Sequence, residues 1–177
     1  DVVARAATGD GPAHPRLGLH VASWRYADAE GRVLAFERRF LGADGKKETR
    51  PLCYAEHGST GRKEWRYLAP PPPRPMYGLD RLAARPEAPV LICEGPKAAD
   101  AAGERWPDVV AVATFGGAGG ARHAGVLPLA GRDVTIWPDA DEPGRRFAAE
   151  IAAAAQAAGA ASARIVDVPT DYPAGWD

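Results

Sequence analysis

The sequence predicts an α/β protein in which a parallel sheet, covered by helices on both faces, follows a small, basic, antiparallel β-rich segment. Three observations support this prediction. Alternating strand patterns occupy residues 22–68, apolar runs alternate with helical segments after residue 88, and PPPPRP separates the two at residues 70–75. Consecutive prolines remove backbone donors and favour a stiff, extended linker. We therefore place a domain boundary there and predict two units, residues 1–75 and residues 76–177.

The front unit is predicted to contain four strands joined by polar turns. AEG, ADG and HGSTG separate segments in which apolar and polar residues alternate, as in half-buried strands. The four segments are SWRYAD at 23–28, RVLAFERRF at 32–40, KKETRPLCY at 46–54 and KEWRYL at 63–68. MYGLDRLAA, directly after the prolines, is expected to form a short joining helix.

The back unit is predicted to be a parallel sheet, because its apolar runs alternate with helical segments. The predicted strands are PVLICEG at 89–95, DVVAVATF at 108–115, RDVTIW at 132–137 and ARIVDV at 163–168. The predicted helices are KAADAAGERW at 97–106 and FAAEIAAAAQAAG at 147–159. In such sheets ligands gather at the carboxyl ends of the strands, so we look for functional residues there.

Charge is distributed unevenly along the 177 residues, although the net charge is only −1. Residues 1–90 carry 15 Lys and Arg against 11 Asp and Glu, whereas residues 91–177 carry 7 against 12. This distribution suggests a track for a polyanion beside a cation site, and two solvated surfaces of different charge would look the same. Cys53 and Cys93 make no disulfide framework, and there is no secretion signal or membrane span, so we expect a cytoplasmic protein.

Three carboxylates follow predicted strands of the back unit. Glu94 ends the first strand, and Asp139 and Asp141 follow the third. Side chains at positions i and i+2 of an extended segment lie on one face, so the two aspartates would repel each other unless a cation lies between them. Carboxylate oxygens suit Mg²⁺ or Mn²⁺, and a few of them leave coordination positions open for phosphate oxygens. We therefore predict Glu94, Asp139 and Asp141 as catalytic, metal-binding residues.

Two other interpretations of the aspartates stay open. An acidic residue at a helix N-terminus can be a cap, and Pro143 is suited to a first helical turn. The segment DADEPGRRFAAE also matches a calcium-binding EF-hand loop at several positions. Pro143 occupies a ligand position of that loop, however, and a strand rather than a helix precedes it.

Four glycines of the back unit are predicted to shape turns around the carboxylates: Gly95, Gly116, Gly117 and Gly144. The stretch TFGGAGG at 114–120 fits neither a dinucleotide fingerprint nor a phosphate-binding P-loop. It is expected to be either a tight turn that approaches the acidic residues or a plain loop.

These motifs together resemble the TOPRIM fold, which bacterial-type primases, topoisomerases and certain nucleases share. The resemblance rests on EG at a strand end, a glycine turn after the next strand, DxD after the third and a final acid near the end. It covers roughly residues 88–177. VLICEGPKAADAA is especially similar to the version found in primases of phages, plasmids and other mobile elements.

The front unit resembles primases in particular. YADAEGRVLAFERRF is similar to a stretch of replicative primases with the pattern D-x-x-G-R-V-x-x-F-x-x-R, and RPMYGLDRL resembles the helix that leads into their TOPRIM segment. By position, this resemblance implies that Arg39 faces template and nucleotide. Further nucleotide or DNA contacts are expected from Lys46, Lys47, Arg50 and Lys97. Each of these could equally be an ordinary surface charge on a strand or helix.

The resemblance implies a primase that makes RNA primers on single-stranded DNA from ribonucleoside triphosphates, with Mg²⁺ or Mn²⁺ held by Glu94, Asp139, Asp141 and Asp177. A replicative helicase, fused or separate, is the expected protein partner. Ala98 departs from the pattern, since replicative primases usually carry an acid there, and these 177 residues do not include the zinc ribbon that usually precedes such a core. The alternatives are a TOPRIM nuclease that uses the same acids, or a non-catalytic nucleic-acid-binding module of a larger replication protein.

Overall fold

A computed structural model of the chain describes residues 2–4, 11–42 and 44–169. The front half forms an antiparallel sheet of five strands. Their bounds are β1 Val2–Ala4, β2 Ala22–Ala27, β3 Val33–Leu41, β4 Lys47–His57 and β5 Lys63–Arg66. β4 lies at the centre of this sheet, with β5 on one side, and β3 and the short β1 on the other. β2 pairs with the outer side of β3.

The register of β3 decides which basic side chains share a face. Arg39 pairs with Ala22 of β2 and Thr49 of β4, whereas Arg38 pairs with Arg50. Directly opposite residues project from the same face, and successive residues project from opposite faces. Arg39 and Arg50 therefore lie on opposite faces of the sheet, so the predicted basic residues do not form one continuous stripe.

The back half forms the predicted parallel sheet, in the order β7-β6-β8-β9. The strands are β6 Val90–Cys93, β7 Val110–Ala113, β8 Asp133–Trp137 and β9 Ser162–Ile165. The helices are α1 Leu79–Ala84, α2 Pro96–Arg105 and α3 Glu142–Ala157, with 3₁₀ helices at Gly117–His123 and Leu127–Leu129. The α/β fold class expected from the alternation of apolar runs and helices is thus confirmed.

Helices cover both faces of this sheet, as the fully apolar strands β6 and β7 require. On one face, Ile92, Val112 and Ile136 pack with Phe147 and Ile151 of α3. On the other face, the alternate residues of β6 and β7 pack against the small residues of α2. None of the helices in the described part of the chain is long and apolar enough to cross a bilayer.

The two sheets share a third hydrophobic cluster. Tyr26, Ala35 and Cys53 of the antiparallel sheet are buried with Phe115, which follows β7. The segment after the prolines also joins the back half directly, since Tyr77 pairs with Ala113 on the outer edge of β7. These contacts place one face of the antiparallel sheet against the glycine turn. The boundary at residue 75 stays a prediction.

Candidate functional site at the carboxyl edge of the parallel sheet

Glu94 and Asp139 meet at the carboxyl edge of the parallel sheet. β6 and β8 are neighbours, with Cys93 opposite Trp137, so the residues that follow them emerge side by side. The backbone N–H of Asp139 donates a hydrogen bond to Glu94 Oε1, with the two atoms 3.2 Å apart. The structure thus brings together two of the carboxylates that the sequence pattern singles out.

Asp141 begins α3. Its Oδ1 accepts a hydrogen bond from the backbone N–H of Gly144 at 2.7 Å, and its extended backbone is that of an N-cap residue. The capping interpretation therefore holds for Asp141, although the capping hydrogen bond uses only one of its two carboxylate oxygens. Because α3 already begins at Glu142, the segment does not form the calcium-binding loop that its sequence partly matches.

Gly144 lets the carboxylates come close to the start of α3. A Cβ atom at this position would lie 2.3 Å from the carbonyl oxygen of Asp139 and 2.8 Å from Glu94 Oε1, so no side chain fits. Gly95 lies between β6 and α2, and its role as a turn residue stays a prediction. It caps α2 in an ordinary extended conformation with open space around it, so neither sterics nor backbone geometry requires a glycine there.

Negative charge is concentrated at this edge. The pKa of Glu94 is raised to about 7, chiefly by burial and also by the nearby charges of Asp139 and Asp141, while the hydrogen bond from the Asp139 backbone acts in the opposite direction. A carboxyl group held this way is about half ionised at neutral pH. A bound divalent cation would favour its charged form.

The donors at this edge fit a hard cation. Glu94 and Asp139 present carboxylate oxygens, and Mg²⁺ typically takes one or two carboxylates together with water and phosphate oxygens. Among the described residues, no three or more His, Cys, Asp and Glu side chains are placed to hold one ion together. Asp177, the fourth predicted ligand, lies outside the described residues.

The glycine turn lies beside the carboxylates. Gly116 and Gly117 both have positive φ, 88° and 59°, which favours glycine. Thr114 Oγ1 donates to the carbonyl oxygens of Gly117 at 3.1 Å and of Glu94 at 3.4 Å, so the turn is tied to the end of β6. The stretch is therefore a tight turn followed by a 3₁₀ helix, and it approaches the acidic edge.

Glu37 is a buried carboxylate that sequence reasoning missed. Its Oε1 accepts a hydrogen bond from the backbone N–H of Gly116 at 2.8 Å, and its Oε2 accepts one from the Tyr26 hydroxyl at 2.6 Å. Burial raises the pKa of Glu37 above its ordinary value, whereas these two hydrogen bonds lower it. The one signal in the sequence is that Glu37 shares a strand face with the apolar Ala35.

The predicted basic residues are dispersed. Arg39 is half-buried, with its guanidinium carbon 4.8 Å from the centre of the Trp24 ring, on the face that carries Glu37. Lys47 is exposed on that same face, at the far end of β4. Lys46 pairs with Asp44, and Arg50 pairs with Glu48 on the opposite face.

Lys97 is exposed on α2 and lies near the acidic edge. It lines a cavity of about 490 Å³ between α2 and the sheet, and Asp139 lines the same cavity. Asp139 also borders a second cavity, of about 790 Å³, that runs past Asp141 toward Asp167. Asp139 therefore lies between two open spaces, each large enough for a small ligand.

No family model and no curated protein sequence matches the chain. Solved structures do match. A DNA primase domain from Pseudomonas aeruginosa is 20% identical, with a TM-score of 0.51 over 85% of this chain and 44% of that one. The DnaG catalytic core is 22% identical, with a TM-score of 0.51 over 85% of this chain and 45% of that one. This chain has the fold of primase catalytic cores.

The structural similarity covers 85% of this chain and extends over both sheets. An α/β sheet of the TOPRIM type follows a small antiparallel sheet, as the sequence resemblance implies. At this level of identity the likeness concerns the fold. The chain spans less than half the length of the primase structures it matches, so the chemistry has to be argued from its own residues.

Proposed function

We propose that this chain is the catalytic core of a primase, which makes RNA primers on a single-stranded DNA template. The observation that carries the proposal is the contact between Glu94 and Asp139 at the carboxyl edge, in a chain with the fold of primase cores. In the reaction, the 3′-hydroxyl oxygen of the primer bonds to the α-phosphate of a ribonucleoside triphosphate, and pyrophosphate leaves.

Glu94, Asp139 and Asp141 would hold Mg²⁺ or Mn²⁺, with Asp177 as a further ligand. When bound, the metal neutralises the triphosphate and favours attack by the hydroxyl. Asp141 can take part through Oδ2, since its Oδ1 caps α3. The raised pKa of Glu94 supports this role, because a cation offsets the repulsion among the three carboxylates.

The basic residues would hold the nucleic acid and the nucleotide. Arg39 is the best placed of the front-half residues, because it lies on the face that contacts the glycine turn through Glu37. Lys47 continues that face, and Lys97 borders the cavity beside Asp139. Lys46 and Arg50 would add positive charge near the template and contact its phosphates.

A replicative helicase, fused or separate, is the proposed protein partner, and the proposed compartment is the cytoplasm.

Replacing Asp139 with Asn tests the chemistry. The variant loses the negative charge at the edge, so primer synthesis on single-stranded DNA with Mg²⁺ or Mn²⁺ should fall about 100-fold or more. Mn²⁺ binding, measured by calorimetry, should be lost as well, whereas affinity for DNA should stay near that of the wild type. The matched control is Asp133→Asn, at the opposite end of the same strand, which should retain activity.

Other outcomes would select the alternatives. A protein that binds DNA but incorporates no ribonucleotide on varied templates, with either metal, would be a non-catalytic binding module. A protein that cuts the strand in the same assay would be a nuclease that uses these acids to activate water. Equal Mn²⁺ binding by Asp139→Asn and the wild type would contradict the proposed ligand set.

A further inference from the structure

A cleft of about 330 Å³ lies between the 3₁₀ helix Gly117–His123 and α3. Gly119 and Arg122 line one wall, and Pro143 and Arg146 line the other. Because Pro143 is only two residues after Asp141, the cleft opens next to the acidic edge and continues along α3. It is distinct from the two cavities that Asp139 borders.

The two arginines of this cleft are available to a ligand. Arg122 and Arg146 are both exposed, and neither is within ion-pair distance of a carboxylate in the described residues. Arg122 Nε lies 3.1 Å from His123 Nε2, which leaves its terminal nitrogens for other partners. In contrast, the neighbouring Arg145 is paired with Glu142 at 3.1 Å.

Further positive charge lies at the other side of the glycine turn. The backbone N–H of Arg74 donates to the carbonyl oxygen of His123 at 2.7 Å, which holds the two residues together. The charges of Arg74 and Arg122 also contribute to lowering the pKa of His123, after the larger effect of desolvation. Glu150 is the one acidic residue in the cleft, and it lies one helical turn beyond Arg146. The cleft is thus positive where it meets the acidic edge and negative at its far end.

We infer that this cleft binds the phosphodiester backbone of a single nucleic-acid strand and directs that strand to the carboxylate edge. Guanidinium groups recognise phosphate oxygens in bidentate fashion, and they are the only cations lining the described cleft. The site adds a phosphate contact on the parallel-sheet half of the molecule, separate from Arg39 and the lysines of the front half. The inference rests on the proposed function for the direction of the strand, but the binding can be measured without any chemistry.

The test compares two double variants of the full chain. Arg122→Gln with Arg146→Gln removes both cations of the cleft. Arg16→Gln with Arg164→Gln removes two exposed arginines that also lack a carboxylate partner among the described residues and that line neither cavity beside Asp139. Both variants have the same net charge, so a difference between their affinities for DNA reports where the removed arginines lie. Thermal unfolding of each variant shows whether the fold is retained.

The measurement is the affinity for a labelled oligothymidylate over a range of salt concentrations. The cleft variant should bind roughly tenfold more weakly at low salt, and the slope of log affinity against log salt should fall by about 1.4, about 0.7 for each lost phosphate contact. The control variant should change neither value by more than a small fraction of this. Affinity for ATP should be unaltered in both.

Three outcomes would overturn the inference. They are equal losses in the two variants, loss of ATP affinity without loss of oligothymidylate affinity, and failure of the wild type to bind the strand at low salt. Primer synthesis separates these results from the proposed function. If the wild type makes primers while the two variants bind DNA alike, the cleft inference is wrong and the primase proposal stands.

Discussion

The two sheets of this protein differ in where polar residues lie along their strands. β6 and β7 are buried and apolar along their whole length, and polar residues appear only where the strands end. β3, in contrast, buries Glu37 and Arg38 within the strand. Polar groups at the end of a parallel strand are free to serve chemistry, whereas those inside β3 hold parts of the protein together.

The neighbours Glu37 and Arg38 illustrate the second case. They project from opposite faces of β3, and each reaches a different part of the chain. Glu37 bonds Gly116 in the back half, and Arg38 Nη1 donates to the carbonyl oxygen of Pro12 at 2.6 Å and to the Tyr67 hydroxyl at 3.0 Å. β3 therefore holds the segment around Pro12 against one face of the antiparallel sheet and the glycine turn against the other face.

Glu37→Ala is expected to give the largest loss of stability. It removes the acceptor of the partly buried Gly116 N–H and leaves the buried Tyr26 hydroxyl with only a longer bond, 3.3 Å, to the carbonyl oxygen of Thr114, and each lost bond to the carboxylate costs about 1–3 kcal/mol. We expect the free energy of unfolding to fall by about 3 kcal/mol in urea titrations. Glu37→Gln keeps one acceptor and should lose less. Equal, small losses in both variants would show that Glu37 is not structural.

Gly144→Ala should have the next largest effect, because its methyl group would overlap the backbone of Asp139. Overpacking of this kind costs about 1–3 kcal/mol, and here the displacement would also separate Glu94 from Asp139. Primer synthesis should therefore fall together with stability. Gly95→Ala is the control, since open space surrounds that position and both properties should stay near wild type.

The smallest effect on stability is expected for Glu94. Its ionisation should destabilise the fold, whereas the carboxylate of Glu37 stabilises it. The pKa of Glu94 is about 7 in the folded chain, above its ordinary value of 4.5, so the folded state binds more protons between these pH values. Without metal, stability should fall as pH rises from 4.5 through 7. Because solvent screens a partly exposed group, the change should be about 1 kcal/mol.

The matching variant is Glu94→Gln, which cannot ionise. Its stability should not decline over this pH range, and at pH 8 in metal-free buffer it should equal or exceed the wild type. A wild-type profile that rises with pH would contradict the raised pKa. If both glutamate substitutions destabilise the chain alike, the contrast between the two sheets fails.

The strands of the back half could be predicted because each is a continuous apolar run, and the acids follow directly. The helix predicted over 147–159 begins five residues later than α3, which starts at Glu142. The signals for the earlier start are local, because Asp141 is a capping residue and Pro143 suits a first helical turn.

The role of Glu37 could not be predicted from local pattern. Its partner Gly116 is 79 positions away, and alternation along a strand does not reveal what lies opposite its face. The dispersion of the basic residues has a similar origin. Whether Arg39 and Arg50 share a face depends on the register of β3 with β4, which the hairpin turn sets.

The pairing of Tyr77 with Ala113 has a consequence for how molecules of this chain meet one another. β7 is the outermost strand of its sheet, and an open edge strand exposes unpaired N–H and C=O groups to strands of other molecules. Tyr77 N–H donates to the Ala113 carbonyl at 2.8 Å, and Ala113 N–H donates to the Tyr77 carbonyl at 3.3 Å. The segment that connects the sheets thus occupies this end of the edge, and it protects the sheet against edge-to-edge aggregation.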